Sequence, residues 1–258
     1  MVARTPYSRQ FYDRHRAGAA SSAEVVVDLL PALGLGPMRR VLDLGCGQGV
    51  WLEAFAGAGA TELTGVDGPW NTAHHSTDSR IRFVPMELDR VTVEELVAAT
   101  EPPFDLAVCV EVLEHLPPAA GDAAVAGLTA CAPVVLFSAA IPGQGGSGHQ
   151  NEQWPSYWAE RFARHGFAAY DAIRPLVWSD TRVQPWYRQN IFLYARPGAL
   201  TSSEPSGPEA IDLVHPEVFT EARTHPHPSD WIRAAPRVAA QVARSAVARL
   251  RRVQSRAR

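Results

Sequence analysis

A doubly wound α/β sheet is the fold class the sequence predicts for residues 1–196. Three observations predict it: short apolar runs recur along the chain, helical patterns separate them, and the first run empties into a glycine-rich turn. The runs at 41–44, 63–66, 81–84, 106–110, 134–138 and 191–195 are largely apolar, as strands of a parallel sheet buried on both faces are. A helical pattern at 21–33 precedes the first strand, and others follow at 49–58, 93–99, 118–128 and 157–165. Such alternation builds a parallel sheet with helices on both faces, and ligands bind outside the carboxyl ends of its strands. Residues 197–229 are rich in Pro, Ser, Glu and His and read as a linker. Residues 230–258 read as a basic amphipathic helical tail.

The chain has 258 residues, 46% of them hydrophobic, which suffices for one large domain with a sizeable core. It contains no lysine, so all 24 basic residues are arginine. Eight of these lie in 231–258 beside no acid; the other 16 face 27 acids, leaving residues 1–230 with a balance of −11. An acidic body excludes nucleic acid as the main partner, because phosphate binding needs a basic face. Cys46, Cys109 and Cys131 sit in or beside apolar runs, form no Cys-x-x-Cys pair, and read as buried, reduced thiols. The uncharged stretch 123–143 is divided by Pro133 into a helix end and a short strand, which argues against a membrane span. With no secretory pattern at the start of the sequence, a cytoplasmic protein is expected. Nothing in the sequence sets an oligomeric state.

The strongest chemical signal is Val41-Leu42-Asp43-Leu44-Gly45-Cys46-Gly47-Gln48-Gly49: a strand, a turn with glycine at alternate positions, then a helix. Glycine there permits positive φ and lets a ligand lie on bare backbone. The dinucleotide fingerprint wants glycine or alanine at its sixth position, which here is Val50. Asp43, two residues before Gly45, instead offers a carboxylate to a cationic ligand. Asp67 ends the next strand, where a carboxylate accepts the ribose hydroxyls of an adenosine.

Together with Phe104-Asp105-Leu106-Ala107-Val108-Cys109-Val110-Glu111-Val112-Leu113-Glu114-His115, this pattern resembles the class I S-adenosylmethionine-dependent methyltransferases. It is most similar to the small-molecule O-methyltransferase branch that includes the ubiquinone-biosynthesis enzymes. The resemblance covers about residues 7–196. It implies a Rossmann-like, seven-stranded, mostly parallel sheet whose antiparallel strand is 191–195. It also implies S-adenosylmethionine as cofactor, held by Asp43, Gly45, Cys46, Gly47, Gly49, Asp67, Glu87 and Glu111, with Glu87 in the place of an acid that meets the adenine amino group.

Glu111, Glu114 and His115 carry two readings. In the ubiquinone branch and in small-RNA 2′-O-methyltransferases, a similar Glu-x-x-Glu-His supplies metal ligands, and such a set suits Mg²⁺ or Mn²⁺. Alternatively, the same residues shape an acceptor pocket without metal. After the fifth strand, flexible glycines lead into His149, Asn151, Glu152, Gln153, Trp154, Tyr157 and Trp158, a mixture suited to a polyhydroxylated acceptor such as a sugar or glycan, or else a glycine loop before a helix with core aromatics. The run from Trp178 to Asp180 and from Trp186 to Asn190 reads as a second wall. An alcohol acceptor must lose a proton, and the candidate bases are His149, His115 and Glu152, in that order.

Three functions follow as expectations: O-methylation of a small hydroxylated acceptor, a nicotinamide-dependent oxidoreductase, and a non-catalytic cofactor-binding module. The tail is expected to make at most a weak, salt-sensitive peripheral contact with an anionic membrane face, each arginine contributing about 1 kcal/mol or less. A solvated tail, or one docked on the acidic body, is the alternative.

Overall fold

The computed structural model describes residues 9–72, 75–200, 204–206 and 211–224; the tail expected at 230–258 lies outside them. Seven strands, β1 Arg40–Leu44, β2 Glu62–Asp67, β3 Ile81–Pro85, β4 Leu106–Val110, β5 Val134–Ser138, β6 Ala168–Tyr170 and β7 Phe192–Ala195, form one sheet in the order β3-β2-β1-β4-β5-β7-β6. The first five pair in parallel, and β7 runs antiparallel to both β5 and β6. This is the expected doubly wound α/β sheet with its antiparallel strand. The sequence pattern misses β6, which has only three residues and no repeat of its own.

Side chains alternate between two cores because successive residues of a strand point to opposite faces. On β4, Leu106, Val108 and Val110 enter one core while Ala107 and Cys109 enter the other. On β5, Val134 and Leu136 part from Val135 and Phe137 in the same way. Helices α1 (Arg9–Leu29) and α2 (Val50–Gly57) cover the first face with Ala23, Val26, Val27, Trp51, Leu52 and Phe55. The second face is covered by α3 (Val93–Thr100), α4 (Pro118–Cys131) and α5 (Pro155–Arg164), through Leu96, Val125, Leu128, Trp158 and Phe162. The stretch 123–143 splits at Pro133 into the end of α4 and β5, and no helix among the described residues is long and apolar enough to cross a membrane. All three cysteines are buried and unpaired.

Helix α1 reaches well ahead of the pattern read at 21–33 and ends as a 3-10 turn at Leu30–Leu33, where Pro31 has no N–H to continue it. Short helices α6 (Arg174–Val177) and α7 (Pro185–Asn190) join β6 to β7. Beyond β7, within the stretch that composition reads as a linker, helix α8 (Pro216–Thr224) packs against α7. Nearby, Ser206 donates its backbone N–H to Ala169, and Ile211 is fully buried.

Candidate active site

The carboxyl ends of β1, β2 and β4 open into a cavity of about 840 Å³. At one end, Gly45 sits at φ +80 and donates to the Val66 carbonyl at 2.7 Å, folding the turn back over β2. A Cβ at Gly45 would come within 2.6 Å of Val112 Cγ1, so sterics and φ both demand glycine. Asp67 is fixed by two backbone donors: Gly47 N–H to Oδ2 at 2.7 Å and Gly68 N–H to Oδ1 at 2.6 Å. Burial raises its carboxyl above the ordinary value, and the Gly68 and Gly47 amides offset part of that rise. Asp43 is buried beneath the turn, with Oδ2 lacking any hydrogen-bond partner. Burial, and then the nearby charge of Asp67, push its carboxyl up to about 8.

Of the residues expected to hold the cofactor, Gly45, Gly47, Asp67 and Glu111 line the cavity. Cys46 and Gly49 do not: Cys46 faces inward over β2, where a Cβ on Gly65 would lie 2.7 Å from its sulfur, and Gly49 faces Ser76. Glu87 also lies off the wall, with an exposed carboxylate 3.6 Å from Arg90. Its neighbours Leu88 and Asp89 reach the cavity instead.

Glu111 has φ +55, an uncommon conformation for a residue with a side chain. Its carboxylate accepts from Ser138 Oγ at 2.8 Å, Asn190 Nδ2 at 3.2 Å and Gln144 Nε2 at 3.2 Å. These donors come from β5, α7 and the loop after β5, so Glu111 ties three segments together. Glu114 is fully buried, and neither of its oxygens has a partner in hydrogen-bond geometry. Burial and the adjacent Glu111 charge raise its carboxyl well above the ordinary range.

The loop after β5 brings the three base candidates together. Glu152 accepts from the Gly143 and Gly145 amides at 2.9 and 3.0 Å, and its Oε1 lies 3.0 Å from His149 Nδ1. Burial alone would raise the Glu152 carboxyl; the His149 ring and the two amides together bring it below its ordinary value. Gly146, at φ +152, lies so close to the His149 ring that a Cβ would strike it. The rings of His115 and His149 meet edge to face at 4.7 Å. Burial, and then the neighbouring His149, lower the His115 imidazole to about 4. Gln150 fastens the loop by donating its side-chain amide to the His115 carbonyl, and the Gln150 and Asn151 amides both donate to the Glu114 carbonyl.

The ligand atoms of Glu114, His115 and His149 lie within 4.8 Å of one another. That set differs from the Glu111, Glu114 and His115 of the alternative metal reading, because the Glu111 oxygens already accept from three neutral side chains and His149 folds into the group instead. The aromatic wall is also smaller than expected. Trp158 is buried against Phe137 in the core, and Tyr157 lies beneath the Arg161 guanidinium, 3.2 Å from its ring centroid. Trp178 meets the His215 ring at a tilt, centroids 4.6 Å apart, away from the cavity lining, whereas Trp186 and Tyr187 do line it.

Comparison with known proteins decides the family: a methyltransferase-domain profile matches residues 12–176. The chain belongs to the methyltransferase-domain family. Its methyl donor is S-adenosylmethionine, and the bare glycine turn and the amide-held Asp67 on the cavity wall fit that nucleoside; the buried Asp43 beneath the turn has one oxygen, Oδ2, without a partner. Among curated relatives, this methyltransferase is 40% identical over 105 residues to the ubiquinone biosynthesis O-methyltransferase of Alkalilimnicola ehrlichii, covering 39% of this chain and 41% of that protein. The counterpart from Hahella chejuensis is 38% identical over 107 residues, covering 40% and 43%. The match thus spans less than half the length of these relatives. Among solved structures, the magnesium protoporphyrin IX methyltransferase of Synechocystis PCC 6803 shares the fold at a TM-score of 0.52 and 19% identity, over 74% of this chain and 88% of its own.

Proposed function

We propose that this methyltransferase transfers a methyl group to a hydroxyl of a small acceptor, sugar-like or otherwise hydroxylated, with the His149–Glu152 pair taking the hydroxyl proton. The observation that carries this reading is the 3.0 Å contact between Glu152 Oε1 and His149 Nδ1 beside the cavity. S-adenosylmethionine, when bound, supplies a methyl group on a positively charged sulfur. Asp67 would hold the ribose, and Asp43 would lie beneath the charged end. A carboxylate on Nδ1 holds that nitrogen as the N–H donor, so Nε2 is the basic nitrogen that can accept a proton. His115 stays neutral beside it and adds no competing positive charge above about pH 4. Trp186 and Tyr187, their rings edge to face at 5.8 Å, line the cavity with aromatic surface that would limit water beside an acceptor. Of the expected bases, His149, His115 and Glu152, this proposal keeps His149 first, gives Glu152 the supporting role and takes no proton to His115.

A divalent cation is the second reading, favoured by one observation: Glu114 offers two buried, unpartnered oxygens next to two imidazoles. Glu114, His115 and His149 would hold the ion, which would polarise an acceptor oxygen. Ubiquinone biosynthesis O-methyltransferases also point to a hydroxylated acceptor by name, which supports transfer to oxygen.

The test is methyl-labelled S-adenosylmethionine incubated with a panel of phenols, catechols and methyl glycosides. Label appearing as a methyl ether supports the proposal. Label found only on amines, or transfer that His149→Ala leaves untouched, overturns it.

A further inference from the structure

Residues 211–220 look like a linker by composition, yet they are built into the domain. Asp212 accepts from Ser156 N–H and Oγ–H at 2.9 and 2.6 Å. His215 is buried; its N–H donates to Gln189 Oε1 at 2.8 Å, and its Nε2 lies 2.8 Å from the Trp178 carbonyl. The Glu217 carboxylate holds the buried Arg188 guanidinium in two contacts, at 2.8 and 3.2 Å. These anchors reach α5, α7 and the end of α6, so the segment is held from three directions. Next to the last of these anchors, the buried Val218 lies on the cavity wall, together with Trp186 and Tyr187.

Gln189 ties this segment to the chemistry. Besides the His215 N–H, it contacts Gln144 through Nε2 at 3.3 Å, and Gln144 leads the loop that carries His149. Through Gln189 and Gln144 the segment is thus joined to the loop that carries His149, and Val218 shares the cavity lining with that histidine. We propose that residues 211–220 are a fixed wall of the acceptor site and that Val218 is a specificity-determining residue, its size setting which hydroxylated acceptors enter. This rests on the O-methyltransferase reading given above. A larger side chain at position 218 would project into the cavity that Trp186 and Tyr187 also line and reduce the space for an acceptor.

The experiment is disulfide capture on the full chain, read by intact mass, with Val218→Cys and with Leu176→Cys as an exposed control away from the cavity lining. The natural cysteines are buried, so the unmodified chain sets the background. The probes are a hydroxyphenyl disulfide and a thioglucose disulfide, compared with a plain ethyl disulfide. Val218→Cys should capture one of the hydroxylated probes about ten-fold better than the ethyl probe, the discrimination a shaped pocket provides, while Leu176→Cys shows no preference. Capture of the phenol alone or of the sugar alone names the acceptor class. No capture at position 218, or equal preference at both positions, overturns the inference. Calorimetry with S-adenosylhomocysteine separates the two failures: an unmodified chain that does not bind it sinks the methyltransferase reading, whereas normal binding with unselective capture sinks only the role of Val218.

Discussion

Glu152 Oε1 lies 3.0 Å from His149 Nδ1, and the same carboxylate is held by the amides of Gly143 and Gly145. The imidazole is thereby oriented by a group that the loop's own backbone fixes in place. Removing the ring and removing its support should have graded effects. His149→Ala is expected to lower kcat by roughly 10²–10⁴, as loss of a general base does. Glu152→Gln should cause a smaller loss, and both variants should bind S-adenosylhomocysteine normally. Equal kcat for unmodified chain and His149→Ala, measured on any acceptor the panel yields, would place the base elsewhere.

Asp43 gives the protein an unusual pH dependence. Its folded carboxyl titrates at about 8, far above the ordinary 3.8, so between those values the folded state holds a proton that the unfolded state has lost. Stability from this group is therefore fully present below about pH 4 and is lost as pH rises to about 8. His115 acts oppositely: lowered to about 4 from 6.5, its contribution is lost as pH falls through that window. The two oppose each other below pH 6.5, leaving a net decline from there to pH 8. Burial raises Glu114 and Asp67 as well, which adds a decline of the same sign, so Asp43→Asn should reduce the slope in chemical denaturation without abolishing it; an unchanged slope would show that Asp43 is not a titrating group.

The turn at Gly45 should tolerate no side chain. Gly45→Ala places a non-glycine residue at φ +80, a strain of about 1–3 kcal/mol, and drives Cβ into Val112. Adding Val112→Ala removes the two colliding methyls, leaving a tight 3.1 Å approach to the position 112 Cβ, and does not relieve the backbone strain. The double variant should recover only part of the stability lost, as read by urea denaturation; full recovery would mean that the collision alone sets the requirement.

The cation reading has its own check. Exhaustive EDTA treatment should abolish transfer, with Mg²⁺ or Mn²⁺ restoring it, if Glu114, His115 and His149 hold a metal. Transfer that survives EDTA leaves His149–Glu152 acting alone.

The legible parts of this protein are those whose logic is local in sequence. Asp43 to Gly49 and then Asp67 lie on consecutive strand ends, and the turn between them follows from glycine chemistry, so one window of residues displays the Gly45, Gly47 and Asp67 part of the cavity wall. The rest depends on contacts far apart along the chain. Glu111 takes its partners from Ser138, Gln144 and Asn190, a set no spacing could announce. Residues 211–220 look like solvent-borne linker because their anchors, Ser156, Gln189 and Arg188, belong to other segments. Trp158 misleads in the opposite sense: an aromatic beside a glycine-rich loop suggests a binding face, yet α5 turns it onto Phe137 in the core. Glu87 stands at the expected place in sequence, but the chain after β3 turns Leu88 and Asp89 inward instead.

The most direct test of the central claim is calorimetric titration of S-adenosylmethionine into the unmodified chain and into Asp67→Ala. The expected result is one site per chain, weakened by about 1.5–3 kcal/mol in the variant, the range for losing hydrogen bonds to a charged group. NADH should bind to neither. Absence of S-adenosylmethionine binding, or the same affinity in a folded Asp67→Ala protein, would contradict the account.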